Sequence, residues 1–217
     1  MIDFAHARRV MVDNQLRTSG VTDRRLLAAM GEVPREKFVP AARQSLAYID
    51  GVHPLSANRQ LGAPAPFAKL VQLAEIDHTD RVLDVGCGNG YSAAVLAHLG
   101  ESVVAVDTDT SLVQHASATL AEIGLGNVTV VAGELSKAGA EHGPYDVIVV
   151  EGTVDAVPEA LFAQLKPTGR LVALIAAPGQ VPVANLFVKS DRGLASSVAF
   201  DARLPQLQPA ADPGFVF

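Results

Sequence analysis

The run Asp84-Val-Gly86-Cys87-Gly88-Asn89-Gly90 is the stretch of the chain best suited to hold a ligand. Glycines at alternate positions free the backbone for φ > 0 and let a ligand approach the main chain closely. Before them, Val82, Leu83 and Val85 form an apolar, β-branched run that reads as a buried parallel strand. After Tyr91, the residues Ala93, Ala94, Leu96 and Ala97 recur at helical spacing up to Gly100, which reads as a C-terminal cap. A glycine turn that opens a helix offers unpaired N–H groups and a positive dipole end to an acidic or polar ligand. Asp107 follows Gly86 by about twenty residues and ends a second apolar run, Val103–Val106; in βαβ nucleotide folds an acid there accepts hydrogen bonds from the ribose hydroxyls. The main-chain amides around Asn89 are therefore expected to cup a ligand while Asp107, with Thr108 beside it, holds the sugar. The spacing is not the dinucleotide fingerprint, whose last two glycines lie further apart.

The elements that must position this turn are those of one ordinary domain. The chain has 217 residues, 49% of them hydrophobic, and a net charge of -6, enough for a full core and a mildly acidic surface. No basic cluster points to nucleic acid, no apolar run approaches membrane-spanning length, and the first residues lack the apolar segment of a signal peptide. The single cysteine, Cys87, rules out an intrachain disulfide and fits a reducing cytoplasm; it reads as a small packing residue rather than a reactive thiol. The six histidines, at 6, 53, 78, 98, 115 and 142, show no metal-ligand spacing and read as surface or loop residues.

Along the chain, residues 1–50 read as helical: Ala5 to Gly20 with Val10, Met11 and Leu16 on one side, then a helix capped by Thr22 or Asp23 with Leu26, Leu27 and Met30 as its stripe, then a turn from Pro34 to Pro40 and a short helix from Ala41 to Ala47. Residues 68–204 read as alternating strands and helices, with strands at Val128–Val131, in Pro144–Gly152 and ending at Ile175, a helix from Ser111 to Ile123 that stops at Gly124, and a hairpin of Val183–Ser190 with Ser196–Arg203. The tail from Pro205 reads as irregular. The expected fold is α/β, a doubly wound, mostly parallel Rossmann-like sheet with an antiparallel C-terminal strand and an N-terminal helical cap, forming one domain over residues 1–217.

The pattern Asp84-x-Gly86-x-Gly88-x-Gly90 resembles motif I of the S-adenosylmethionine-dependent methyltransferases. Met11-Val-Asp-Asn-Gln-Leu-Arg17, Val33-Pro-Arg-Glu-Lys-Phe-Val-Pro40 and Ala47-Tyr-Ile-Asp50 are similar to the N-terminal region of the protein-L-isoaspartate O-methyltransferase family. With the later segments, the resemblance spans nearly the whole chain. It implies the doubly wound fold, S-adenosylmethionine as cofactor, and methyl transfer to the free α-carboxylate of an isoaspartyl residue in a damaged protein or peptide. It also implies that the turn from Asp84 to Gly90 takes the methionine end of the cofactor, that Asp107 takes the ribose, and that Gly133-Glu134-Leu135 lies near the adenine. Glu134 either accepts from the adenine amino group or is a capping, solvent-facing carboxylate.

Residues 51–67 depart from the family. Pro54 and Leu55 match, but the family's Thr-Ile-Ser hydroxyls are missing from Ser56-Ala-Asn-Arg-Gln-Leu-Gly-Ala-Pro-Ala-Pro66. Asn58 and Arg59 are the polar candidates left in this acceptor loop; Arg59 either pairs bidentately with an acceptor carboxylate or is a solvated loop residue. Glu151, at the carboxyl end of its strand, is the other weak catalytic candidate, against a solvated strand-end glutamate. A carboxylate acceptor is already ionised near pH 7, so its methylation needs positioning and exclusion of water more than a base. Three readings stand: an isoaspartyl-type methyltransferase; a methyltransferase with a small-molecule or amine acceptor; and a non-catalytic module that binds the cofactor. No metal is expected.

Overall fold

The computed structural model describes residues 2–177 and 179–207. Its elements, in chain order, are α1 (Phe4–Met11), α2 (Arg24–Glu32), strands β1 (His53–Pro54) and β2 (Gln60–Leu61), α3 (Pro64–Leu73), β3 (Arg81–Val85), α4 (Tyr91–Ala97), β4 (Ser102–Asp107), α5 (Thr110–Glu122), β5 (Val128–Ala132), β6 (Tyr145–Val154), α6 (Glu159–Ala163), β7 (Leu165–Ile175), β8 (Val183–Ser190) and β9 (Gly193–Asp201). Strands β3 to β9 form one sheet of order β5-β4-β3-β6-β7-β8-β9. Its first five strands run parallel; β8 pairs antiparallel with β7, and β9 antiparallel with β8. β3, β4 and β6 are apolar along nearly their whole length because helices or loops cover the sheet on both faces.

Alternation along the strands separates two cores. Val82, Val103, Val147 and Val149 pack with α2, α3, α4 and α5, and Leu83, Val85, Ile148 and Val150 pack with Leu135, Leu161 and Leu207 on the other face. The parallel register sets Val85 opposite both Val106 and Val150. The carboxyl ends of β3, β4 and β6 therefore finish side by side, at the place where the strand order reverses and open α/β sheets hold ligands.

The N-terminal part is helical as expected, with local differences. The helix expected from Ala5 to Gly20 is α1 followed by a π turn (Val12–Leu16) and a 3₁₀ turn (Arg17–Ser19), ending at Gly20 with φ +86. Met11 and Leu16 are buried, but Val10 points outward. Asp23 caps α2 by accepting from the Arg25 and Leu26 amides. Gly100 is not a left-handed cap: its φ is ordinary, and a Cβ there would sit 2.8 Å from the Asp80 carbonyl. Close packing of the chain fixes it as glycine. The tail beyond β9 is irregular in its described part, as expected, yet it is held in place. Leu204 and Leu207 are buried, and Gln206 bridges Thr153 in parallel alignment, so residues 204–207 lie as a strap across the end of β6. The expectation of an irregular tail otherwise falls on residues 208–217, outside the described residues.

Candidate functional site

The turn after β3 has the backbone its glycines were read for. Gly86, Gly88 and Gly90 have φ of +90, +52 and +88, values an L side chain reaches only at a cost. Gly86 N–H donates to the Val106 carbonyl at 2.8 Å, tying the turn to the end of β4. Gly90 begins α4, and a Cβ there would press on Ala116 of α5 at 2.9 Å. Cys87 is buried, and burial pushes its thiol well above the ordinary value, so it packs and does not react. Asn89 is buried and donates to the Phe38 carbonyl, fastening the turn to the N-terminal part.

Two acids anchor the turn. Asp84 is fully buried, accepts from the Ser92 hydroxyl at 2.6 Å, and leaves Oδ1 without a partner. Burial, reinforced by the charge of Asp107, pushes its carboxyl up to about 7, against the opposing pull of Ser92 and Arg59. Asp107 is also fully buried. Its Oδ2 accepts from Gly88 N–H at 2.8 Å and its Oδ1 from Asp109 N–H at 3.0 Å. Thr108 follows it at the surface between β4 and α5.

Arg59 fits neither sequence expectation. It is 7% exposed, so it is not a solvated loop residue. Its guanidinium meets Asp107 Oδ2 through Nε at 3.1 Å and Nη2 at 2.5 Å, and donates from Nη1 to the Leu207 carbonyl at 3.1 Å. The short hairpin of β1 and β2 causes this: Leu55 and Ser56 N–H both donate to the Arg59 carbonyl, closing a tight loop that turns the side chain inward. Asn58 stays exposed.

The expected open cup around Asn89 is therefore filled by side chains. A Cβ on Gly86 would collide with Leu207 Cδ1 and lie 2.9 Å from Arg59 Nη2, and a Cβ on Gly152 would meet the Pro205 carbonyl at 2.9 Å and Leu207 Cβ at 3.0 Å. The cavity left beside Leu207, lined by Val85, Leu135, Val150 and Leu161, measures about 20 Å³, room for about one water. The residue types suit an adenosyl cofactor; the space, with Arg59 and Leu207 in it, does not.

Glu151 is not a solvated strand-end residue. It is half-buried, but its Oε2 is sealed from water and has no partner. Burial and the nearby Asp84 push its carboxyl up to about 8, with Arg35 and Arg59 pulling the other way. Arg35, within the motif Val33–Pro40, is 1% exposed; it donates to the Ala47 and Gly62 carbonyls and lies over the Tyr91 ring at 4.6 Å, joining the N-terminal part to the loop of residues 51–67. Glu134 takes its solvent-facing alternative: 59% of its side chain is exposed, and it accepts from Ser136 and Lys137. Gly133 N–H donates to the Asp107 carbonyl, and Leu135 is buried.

Sequence reasoning missed three participants. Leu207 had only its spacing from Leu204 in a polar tail to mark it. Arg35 sat inside a motif read for its family likeness alone. His53, expected at the surface, is fully buried with both ring nitrogens unpartnered; burial, then Arg35 and Arg43, push it down to about 4, so it stays neutral at pH 7. No cluster of metal-ligating side chains occurs among the described residues, and no helix among them is long and apolar enough to cross a membrane.

The chain matches the family model described as protein-L-isoaspartate(D-aspartate) O-methyltransferase over residues 7–200. Similar curated proteins include protein-L-isoaspartate O-methyltransferase 2 of Anaeromyxobacter sp. (strain Fw109-5), 39% identical over 86% of this chain and 76% of that protein. The protein-L-isoaspartate O-methyltransferase of Methylorubrum extorquens (strain PA1) is 42% identical over 82% of this chain and 77% of its own length. Among solved structures, a protein-L-isoaspartate O-methyltransferase aligns with a TM-score of 0.77 at 29% identity, covering 93% of this chain and 64% of that one. A Plasmodium falciparum structure titled as a β-aspartate methyltransferase of this kind, in complex with S-adenosyl-L-homocysteine, aligns with a TM-score of 0.79 at 20% identity, covering 93% and 98%.

Proposed function

This chain belongs to the protein-L-isoaspartate(D-aspartate) O-methyltransferase family, and from that premise we propose how its residues serve the family's reaction. The chain is an S-adenosylmethionine-dependent O-methyltransferase that acts on a carboxylate of damaged protein. The observation that carries the assignment of residues is the bond from Gly88 N–H to Asp107 Oδ2 at 2.8 Å, which couples the left-handed glycine turn to the acid at the end of β4.

In this reading Asp107 would accept from the ribose hydroxyls, and the turn from Cys87 to Gly90 would border the methionine end; the Cys87, Gly88 and Gly90 amides hold the turn itself, bonded to the Val106 carbonyl, Asp107 Oδ2 and the Cys87 carbonyl. Asp84, bonded to Ser92, holds the turn to α4 from beneath. Gly133 and Leu135 border the base; Glu134, facing water, contributes little there. When bound, S-adenosylmethionine supplies a sulfonium methyl that is already electrophilic. The acceptor carboxylate is ionised near pH 7 without help. The protein's work is alignment and exclusion of water, done by the buried surround of Arg35, Tyr91 and Glu151. No general base is assigned. The helical N-terminal part and the sheet act as one methyltransferase domain, and the buried lone cysteine suits a reducing cytoplasm.

The test is methyl transfer from labelled S-adenosylmethionine to a peptide carrying isoaspartate, set beside the same peptide with ordinary aspartate. Label in the isoaspartyl peptide alone is the expected result. Label in neither, with cofactor still bound, would reject the acceptor assignment. Methylated product of any kind eliminates the binding-module reading.

A further inference from the structure

The disagreement between residue types that suit a nucleoside and a space that is closed to one has a specific cause. Arg59 and Leu207 stand where the sugar and its neighbour would lie. The Arg59 guanidinium takes Asp107 Oδ2 with two N–H groups, which is what a ribose diol would offer the same acid. Leu207 lies directly over Gly86, in the same buried cluster as Val85, Val150 and Leu135 and lining one small cavity with them. The two are joined, because Arg59 Nη1 donates to the Leu207 carbonyl at 3.1 Å.

The strap that carries Leu207 is built, not draped. Thr153 N–H donates to the Pro205 carbonyl at 2.9 Å, Leu207 N–H to the Thr153 carbonyl at 2.9 Å, and Thr153 Oγ1 to the Leu204 carbonyl at 2.8 Å. β6 makes room for it, since its register with β7 shifts between Val149 and Thr153. An open groove of about 360 Å³, lined by Ala57, Asn58, Gln60, Pro205 and Gln206, runs between the hairpin and the strap. The hairpin and the strap thus meet along a seam that faces water.

Resting on the cofactor reading above, we propose that this chain carries its own competitor for the cofactor site: an autoinhibitory plug of Arg59 on Asp107 and Leu207 over Gly86, which S-adenosylmethionine must displace to bind. Asp107 keeps its bonds from Gly88 and Asp109 when Arg59 leaves, so the turn survives the exchange. Because only the open form binds, the apparent affinity is the intrinsic affinity reduced by the open fraction. Removing the plug therefore tightens binding, the reverse of what deleting a ligand-contacting residue does.

The test is calorimetric titration of the full chain with S-adenosylhomocysteine for the wild type, Arg59→Ala and Leu207→Ala, beside hydrogen exchange of the wild type with and without it. Tightening of at least about tenfold in either variant supports the plug, as does faster exchange of the Thr153 and Leu207 amides when ligand is added to the wild type. Equal or weaker binding in both variants, or slower exchange at those amides, overturns it while the cofactor reading stands. No binding by any of the three proteins overturns both. Leu207→Ala keeps the ion pair intact, so the test survives if Arg59→Ala fails to fold.

Discussion

The glycine turn after β3 and the plug that faces it occupy the same few ångströms under opposite rules. The turn is set by neighbours in sequence: the left-handed Gly86, Gly88 and Gly90 lie between a strand and a helix that their own residues specify. The plug is set by partners far apart in the chain, with Arg59 reaching Asp107 across 48 residues and Leu207 across 148. The comparison teaches that the kind of ligand is written in the local stretch, and the accessibility of the site in the distant ones.

The comparison can be broken most severely at the residue both sides share. Asp107→Ala strands the Arg59 guanidinium in a buried place, and losing one partner of a buried pair costs about 3–5 kcal/mol. Denaturant unfolding should show that loss, and binding of S-adenosylhomocysteine should vanish. Wild-type stability would mean that the pair holds nothing.

Leu207→Ala acts on the plug alone. A buried Leu→Ala substitution costs roughly 2–5 kcal/mol, and the lower end is expected because the strap lies beside open solvent. Its separating feature is that stability falls while ligand affinity rises.

The buried carboxyls give a pH signature. Asp84 and Glu151 titrate near 7 and 8 in the folded chain and near 4 when unfolded. The folded state then holds protons that the unfolded state has released, so their contribution is full below about pH 4 and is lost as pH rises toward 7 and 8, at about 1.4 kcal/mol per pH unit for each group. His53 works the other way, losing stability as pH falls from about 6.5 toward 4. Between pH 6.5 and 8 the carboxyls act alone: melting temperature should fall across that range, and Glu151→Gln should flatten the slope. A melting temperature that rises from pH 6.5 to 8 would contradict their neutral, buried state.

The smallest effect belongs to Glu134→Ala. Its ion pair with Lys137 is exposed on both sides, and such pairs contribute about 0–1 kcal/mol. Stability and ligand affinity should both stay near wild type; a large loss of affinity would restore the adenine role that the solvent-facing side chain argues against.

How much of this was legible in the sequence follows the same division. The parallel strands, the order of helices, the turn and Asp107 each depend on patterns within a few residues, and the structure has them at the expected places. Leucine and valine periodicity could not tell Val10, which faces water, from Met11, which does not, because the helix loosens into a π turn just beyond. The burial of His53 and Arg35 depends on the N-terminal part folding onto the loop of residues 51–67. The inward turn of Arg59 depends on a hairpin of only two residues per strand. Glu151 was readable as a strand-end acid, but its sealed Oε2 depends on the elements packed over it.

A crystal structure of the full chain with S-adenosylhomocysteine tests the account most directly. The account predicts the ribose hydroxyls on Asp107, with the Arg59 guanidinium withdrawn from that acid and Leu207 lifted from above Gly86. Ligand bound elsewhere, with the Arg59–Asp107 pair and Leu207 still in place, would contradict it.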